Sequence, residues 1–152
     1  MLLIKHKSGL TIHLMLIFTI FFLVQLTASF ARAQSINHNL KVTIDISDNL
    51  KSKTQPDQVV FVFAKAVNGP RAPLAAVRAQ VRDLPMTVTL DDSMAIAPMF
   101  RLSNFSDVNV SARVSQSGQA MQQSGDLEGL SPAIKLEKNN KPITVIIDHI
   151  VP

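Results

Sequence analysis

The chain has 152 residues, 47% hydrophobic and 17% charged, a balance that suits one globular domain beside a targeting segment. Three of its 15 Lys and Arg (Lys5, Lys7, Arg32) precede residue 34, leaving 12 against 11 acidic residues, interspersed rather than blocked, which speaks against nucleic-acid or anionic-membrane binding. Cysteine is absent, which excludes disulfides, thiol chemistry and a lipid-modified N-terminal cysteine.

The first 33 residues read as a signal peptide. Lys5, His6 and Lys7 form a positive start, residues 14–26 (LMLIFTIFFLVQL) an apolar run, and Ala31-Arg32-Ala33 a small-residue cleavage site before Gln34. The competing reading is an uncleaved anchor, because residues 10–30 nearly match the roughly 20 residues that span a bilayer. Residues 34–39 are a polar leader, and residues 40–152 form the domain.

Within the domain, Leu40, Val42, Ile44 and Ile46 alternate with Lys41, Thr43 and Asp45. Successive side chains of a strand point to opposite faces, so this is a half-buried strand. Residues 47–57 are a polar loop closed by Pro56-Asp57. Residues 58–67 (QVVFVFAKAV) are apolar on both faces and predict a central strand, with Phe61 and Phe63 opposite Val60, Val62 and Ala64. Asn68-Gly69-Pro70 is a turn longer than two residues, and residues 74–81 predict the return strand. After Asp83-Leu84-Pro85, residues 86–90 alternate again.

Residues 91–107 lose the alternation and contain Pro98, which predicts a short helical turn or a crossover between sheets, with Phe100, Leu102 and Phe105 pinning it to the core. Residues 108–116 predict another strand and residues 117–129 a flexible loop ending in GDLEG. A short edge strand over 131–136, a turn at 138–142 and a last strand over 143–150 complete seven candidates. The predicted fold is therefore all-β, an immunoglobulin-like antiparallel β-sandwich, with a small barrel as the other arrangement.

Chemistry is sparse. His38 and His149 lie at opposite ends of the domain sequence, without a second ligand nearby for zinc. Met86, Met94, Met99 and Met121 are soft thioethers that copper would accept, Met94 and Met99 lying near Asp91 and Asp92, although Met equally fills irregular core gaps. Asp91 and Asp92 are adjacent, point to opposite faces of an extended chain, and belong to no calcium loop; capping the Asp-Asp-Ser bend is their simplest role. GDLEG matches no phosphate-binding pattern, and no serine sits in a nucleophile elbow. The residues supply no catalytic constellation and call for no cofactor. What remains is a binding surface, for which Asp91, Asp92, Met94, Met99, Phe100 and Phe105 are the candidates.

FVFAKA, TVTLDDSMA, VSARVSQSG, GDLEG and the final ITVIIDHIVP occur here in that order. In these blocks the chain resembles the periplasmic C-terminal domain of the cytochrome c maturation protein CycH, over about residues 40–152. The resemblance implies an immunoglobulin-like sandwich in the periplasm and a non-enzymatic role in cytochrome c maturation. Its implied partners are apocytochrome c, held as by a chaperone, or the proteins of the haem-ligation machinery. Members of that family carry transmembrane helices and a tetratricopeptide array ahead of this domain, and the array is the part associated with gripping the apocytochrome; a signal peptide stands in their place here. Membrane contact would come only through an uncleaved signal or through partners. A periplasmic copper-binding sandwich and a generic envelope interaction module are the alternatives.

Overall fold

A computed structural model describes residues 39–136 and 141–152. The expected signal peptide and His38 lie outside the described residues, as does most of the expected turn at 138–142. The described residues hold nine strands: β1 (Leu40–Ile46), β2 (Val59–Ala66), β3 (Ala75–Gln80), β4 (Met86–Leu90), β5 (Asp107–Ser115), β6 (Leu127–Leu130), β7 (Ile134–Lys135), β8 (Ile143–Ile147) and β9 (His149–Ile150). A single helical turn, α1 (Asp48–Lys51), sits in the loop after β1.

The strands form two sheets. The smaller has the order β4-β1-β8 and the larger β3-β2-β5-β6-β9, with β7 also pairing with β5. Alternation drives the assembly. Leu40, Val42, Ile44 and Ile46 of β1 and Leu90 of β4 face Val60, Val62 and Ala64 of β2 and Val108, Val110, Ala112 and Val114 of β5 in one buried cluster. Removing such side chains from water stabilises the fold by about 1.5–3 kcal/mol for each Val, Leu, Ile or Phe fully buried. This is the expected sandwich, and β2 is the interior strand its two apolar faces predicted, flanked by β3 and β5.

Three features differ from the expectation. The pairing is not wholly antiparallel: β8 runs parallel to β1, from Val42 opposite Ile143 to Ile46 opposite Ile147. The final run is two strands rather than one, since β8 belongs to the smaller sheet and β9 pairs with β6 in the larger. The chain changes sheets at Asp148, whose N–H donates to the Glu128 carbonyl at 3.2 Å. The GDLEG stretch is not a flexible loop, because Leu127–Leu130 is a strand between β5 and β9. Gly129 belongs there for a packing reason. A Cβ at this position would lie 2.1 Å from the Ile146 carbonyl oxygen, so only glycine lets β6 approach the β8 backbone.

Between β6 and β7, Ser131-Pro132 breaks the ladder on β5. Ser131 repairs the gap: its N–H donates to the Val110 carbonyl at 2.8 Å, and its Oγ accepts the Val110 N–H at 2.9 Å. The chain from β4 to β5 crosses between the sheets through three 3-10 turns, at Asp92–Met94, Pro98–Phe100 and Leu102–Asn104. The peptide bond between Leu84 and Pro85, just before β4, is cis.

Candidate binding site

The crossover after β4 carries all six residues singled out by sequence. Asp91 Oδ1 accepts the Ser93 N–H at 2.8 Å and the Ser93 hydroxyl at 2.5 Å, the capping role expected for this bend. Asp92 reaches across the crossover, accepting the Ser103 N–H at 2.9 Å and the Ser103 hydroxyl at 2.6 Å. The two carboxylates thus staple the segment at different points. Met94, Phe100 and Phe105 pack against the core around fully buried Leu102. Phe105 also sits under the loop between β2 and β3, where a Cβ on Gly69 would come within 2.9 Å of its ring. Met99 is 69% exposed and, with nearby Ile96, presents apolar surface to solvent. The segment is therefore brought together as one unit, but five of the six side chains are engaged in holding it. Met94 and Met99 occupy different environments, one packed on the core and one in solvent. Among the described residues no three His, Cys, Asp or Glu are grouped as metal ligands.

A second surface was not among the sequence candidates. On β2 the residues opposite the core, Val59, Phe61 and Phe63, form a buried cluster of their own on the outer face of the larger sheet. The Phe61 and Phe63 rings stack with centroids 5.8 Å apart and planes 7° from parallel. Across the ladder, Ser115, Arg113 and Ser111 of β5 stand opposite Val59, Phe61 and Phe63. All three are buried although they too point away from the core.

Over Arg113 and Ser115 the β5–β6 connection, residues 116–126, folds back as a flap. Asp126, fully buried, anchors it: Oδ1 accepts the Gln116 N–H at 2.9 Å, Oδ2 accepts the Gln123 N–H at 3.0 Å, and Oδ2 lies 3.3 Å from Arg113 Nε. Arg113 Nη2 donates to the Ala120 carbonyl, and the Ser115 hydroxyl donates to the Gln119 carbonyl at 2.9 Å. Gly118 and Gly125, at φ 75° and 89°, supply the left-handed bends the flap needs. Carboxylate and backbone satisfy one another, and carboxylate and guanidinium offset each other's charge, as charges taken out of water must, although Arg113 Nε has no hydrogen-bond partner among the described residues.

Between this flap and the β2–β3 loop lies a groove of about 430 Å³, floored by Phe63 and Arg113 and rimmed by Lys65, Arg71, Pro73 and Met121. The Arg113 guanidinium and the Lys65 ammonium each lie 5.8 Å from the Phe63 ring centroid, within cation–π range. Met121 is 78% exposed at the lip. The signals for this site were present in sequence, namely the second apolar face of β2 and an arginine inside β5. Read locally, Arg113 is one polar residue of a solvated strand face, and its partner Asp126 sits in a stretch rich in Ser, Gln and Gly that reads as a flexible loop.

Residues 40–148 match the family described as the cytochrome c-type biogenesis protein H Ig-like domain. Among curated proteins, the chain is 49% identical over 82 residues to the cytochrome c-type biogenesis protein CycH of Pseudomonas aeruginosa; the match covers 54% of this chain and 20% of the relative. The chain thus corresponds to about a fifth of that relative's length. No solved structure matches.

Proposed function

Because the chain belongs to the cytochrome c-type biogenesis protein H Ig-like domain family, we propose that it is a non-enzymatic binding module acting in cytochrome c maturation on the periplasmic side of the membrane. In this reading it holds apocytochrome c, or docks a component of the haem-ligation machinery, and its export is directed by residues 1–33. The observation that carries the proposal is the family match along almost the whole sandwich, residues 40–148. Two physical features support a binding rather than a catalytic task. The conspicuous buried polar cluster, Arg113 with Asp126, is committed to holding the flap. The crossover carboxylates Asp91 and Asp92 are committed to their serine partners. Exposed apolar side chains at Ile96, Met99, Met121 and Leu130 offer contact area of the kind partner proteins cover.

The test is affinity capture of the tagged full chain from cross-linked cells that produce c-type cytochromes, read by mass spectrometry, with haem staining of c-type cytochromes after deletion of the gene. Enrichment of c-type cytochromes or haem-ligation proteins, with weaker staining in the deletion strain, is the expected result. Enrichment of unrelated envelope proteins with normal staining would overturn the reading in favour of a general interaction module.

A further inference from the structure

We infer that the groove between the flap and the β2–β3 loop is a docking site for an extended acidic peptide segment of a partner protein, one that presents a carboxylate beside an aliphatic side chain. The inference does not depend on the cytochrome c reading; it follows from charge and lining.

Three cations meet in the groove: Lys65, Arg71 and Arg113. Two carboxylates lie nearby and both are engaged: fully buried Asp126 accepts two backbone amides and lies 3.3 Å from Arg113 Nε, and Glu128, opposite Arg113 on β6, accepts from the Gln122 side-chain amide at 3.1 Å. Lys65 and Arg71 have no ion-pair partner among the described residues. Arg113 is held by its bond to the Ala120 carbonyl and lies 3.3 Å from Asp126, while its buried Nε has no hydrogen-bond partner among the described residues. This guanidinium, 4% exposed and fixed by the Ala120 carbonyl at the floor of the groove, adds positive charge beneath Lys65 and Arg71.

Apart from Gln122, whose side-chain amide is bonded to Glu128, the rest of the lining is apolar. Phe63 forms the floor, Pro73 and Met121 the walls, and Met121 is free to adapt to its contact. A neutral apolar ligand would cover Lys65 and Arg71 without pairing them, which costs free energy. A bare inorganic anion would leave Met121 and Pro73 unused. A carboxylate and an aliphatic group on the same ligand use both kinds of surface. In an extended peptide, residues two apart share a face, roughly 6.6 Å apart. The matching pattern is therefore glutamate, any residue, aliphatic, any residue, glutamate. Arg71 and Lys65 take the carboxylates, and the aliphatic group sits against Met121 and Phe63.

The probe is a fluorescein-labelled heptapeptide, Ser-Glu-Ser-Leu-Ser-Glu-Ser, blocked at its C-terminus so that only side-chain carboxylates carry charge on the peptide backbone. Binding to the full chain is followed by anisotropy at low and physiological salt. The Glu peptide is expected to bind at least tenfold more tightly than its Gln counterpart, with a salt-dependent Kd. The double variant Lys65→Glu with Arg71→Glu, both outside the core, should lose at least tenfold. Met121→Ser should weaken the Glu and Gln peptides alike. Equal affinity for the two peptides, or no loss in a double variant that keeps the wild-type circular dichroism spectrum, would overturn the inference. So would full displacement of the peptide by an equal concentration of orthophosphate or of haemin, which would reassign the groove to a simple anion or to an anionic porphyrin. Failure here leaves the capture experiment above untouched.

Discussion

The two sheets share one core but differ on their outer faces. On the smaller sheet, Thr87, Thr43 and Thr144 line up across β4, β1 and β8, and Thr43 and Thr87 share a hydroxyl hydrogen bond at 3.0 Å. On that face Lys41, Thr87, Thr89 and Thr144 are exposed, and β1 keeps the in-out burial its sequence predicts. On the larger sheet, β2 and β5 are buried on both sides, and the 116–126 flap folds over the outer side onto Arg113 and Ser115, anchored by Asp126. A sheet with one apolar face completes the fold. A sheet with a second apolar strip needs a further layer, and that layer creates a groove. The candidate binding site thus arises where β2 carries more apolar surface than the core requires.

Asp126→Ala should break this difference most directly. It strips the flap of two backbone acceptor contacts and leaves Arg113 buried without its counter-ion, a change that typically costs about 3–5 kcal/mol. Chemical denaturation should report that loss. Amide exchange should show residues 116–125 deprotected first, while β1 and β4 keep their protection until global unfolding. A loss confined to about 1 kcal/mol, the range of an exposed pair, would mean the flap is held by other contacts.

The counterpart on the smaller sheet is Thr43→Ala. It removes a hydroxyl pair from an exposed face, and cross-strand pairs of this kind are worth about 0.2–1 kcal/mol. Denaturation midpoints should move little, and the peptide affinity of the groove should not move at all. A larger effect would show that the threonine face is supporting more than its own surface.

How much of this was legible in the sequence follows the reach of each interaction. β1, β2 and β4 were readable because alternation is local: Leu40, Val42, Ile44 and Ile46 announce their face without reference to the rest of the chain. The crossover was readable because Pro98 and the broken period of residues 91–107 exclude a long strand, and Phe100, Leu102 and Phe105 do turn inward. The site residues proposed there were harder to place. An apolar side chain in an irregular segment looks the same in sequence whether it caps the core, as Phe100 does, or faces water, as Met99 does. β6 was missed because two glycines read as loop, whereas Gly129 answers to the backbone of Ile146 in a strand seventeen residues later. The division of β8 from β9 and the parallel pairing of β1 with β8 depend on partners from opposite ends of the domain. Arg113 and Asp126 are separated by a flap that looks unstructured until the salt bridge is known.

The smallest expected effect tests whether charge alone, away from both outer faces, matters to the fold. Asp48 opens α1 and pairs with Lys51 at 2.8 Å, with both side chains largely in solvent. The hydrogen bond from Lys51, then its charge, hold the Asp48 carboxyl below its ordinary value of 3.8. The same bond, then the same charge seen from the other side, raise Lys51 above 10.5. The signs set the window. A lowered carboxylate contributes stability above its unfolded value and loses it as pH falls through the folded one; a raised amine contributes below its unfolded value and loses it as pH rises through the folded one. The pair is therefore intact across the neutral range and vanishes at both extremes. Water and salt screen it throughout, so Asp48→Asn should leave the Tm at pH 7 unchanged within error. Any difference that does emerge at low ionic strength should be flat through neutrality and close toward strongly acidic and strongly alkaline pH. A Tm loss at neutral pH that persists in high salt would instead mean that Asp48 holds the first turn of α1 through its position at the helix start, and that the loop after β1 contributes to the fold as the flap does.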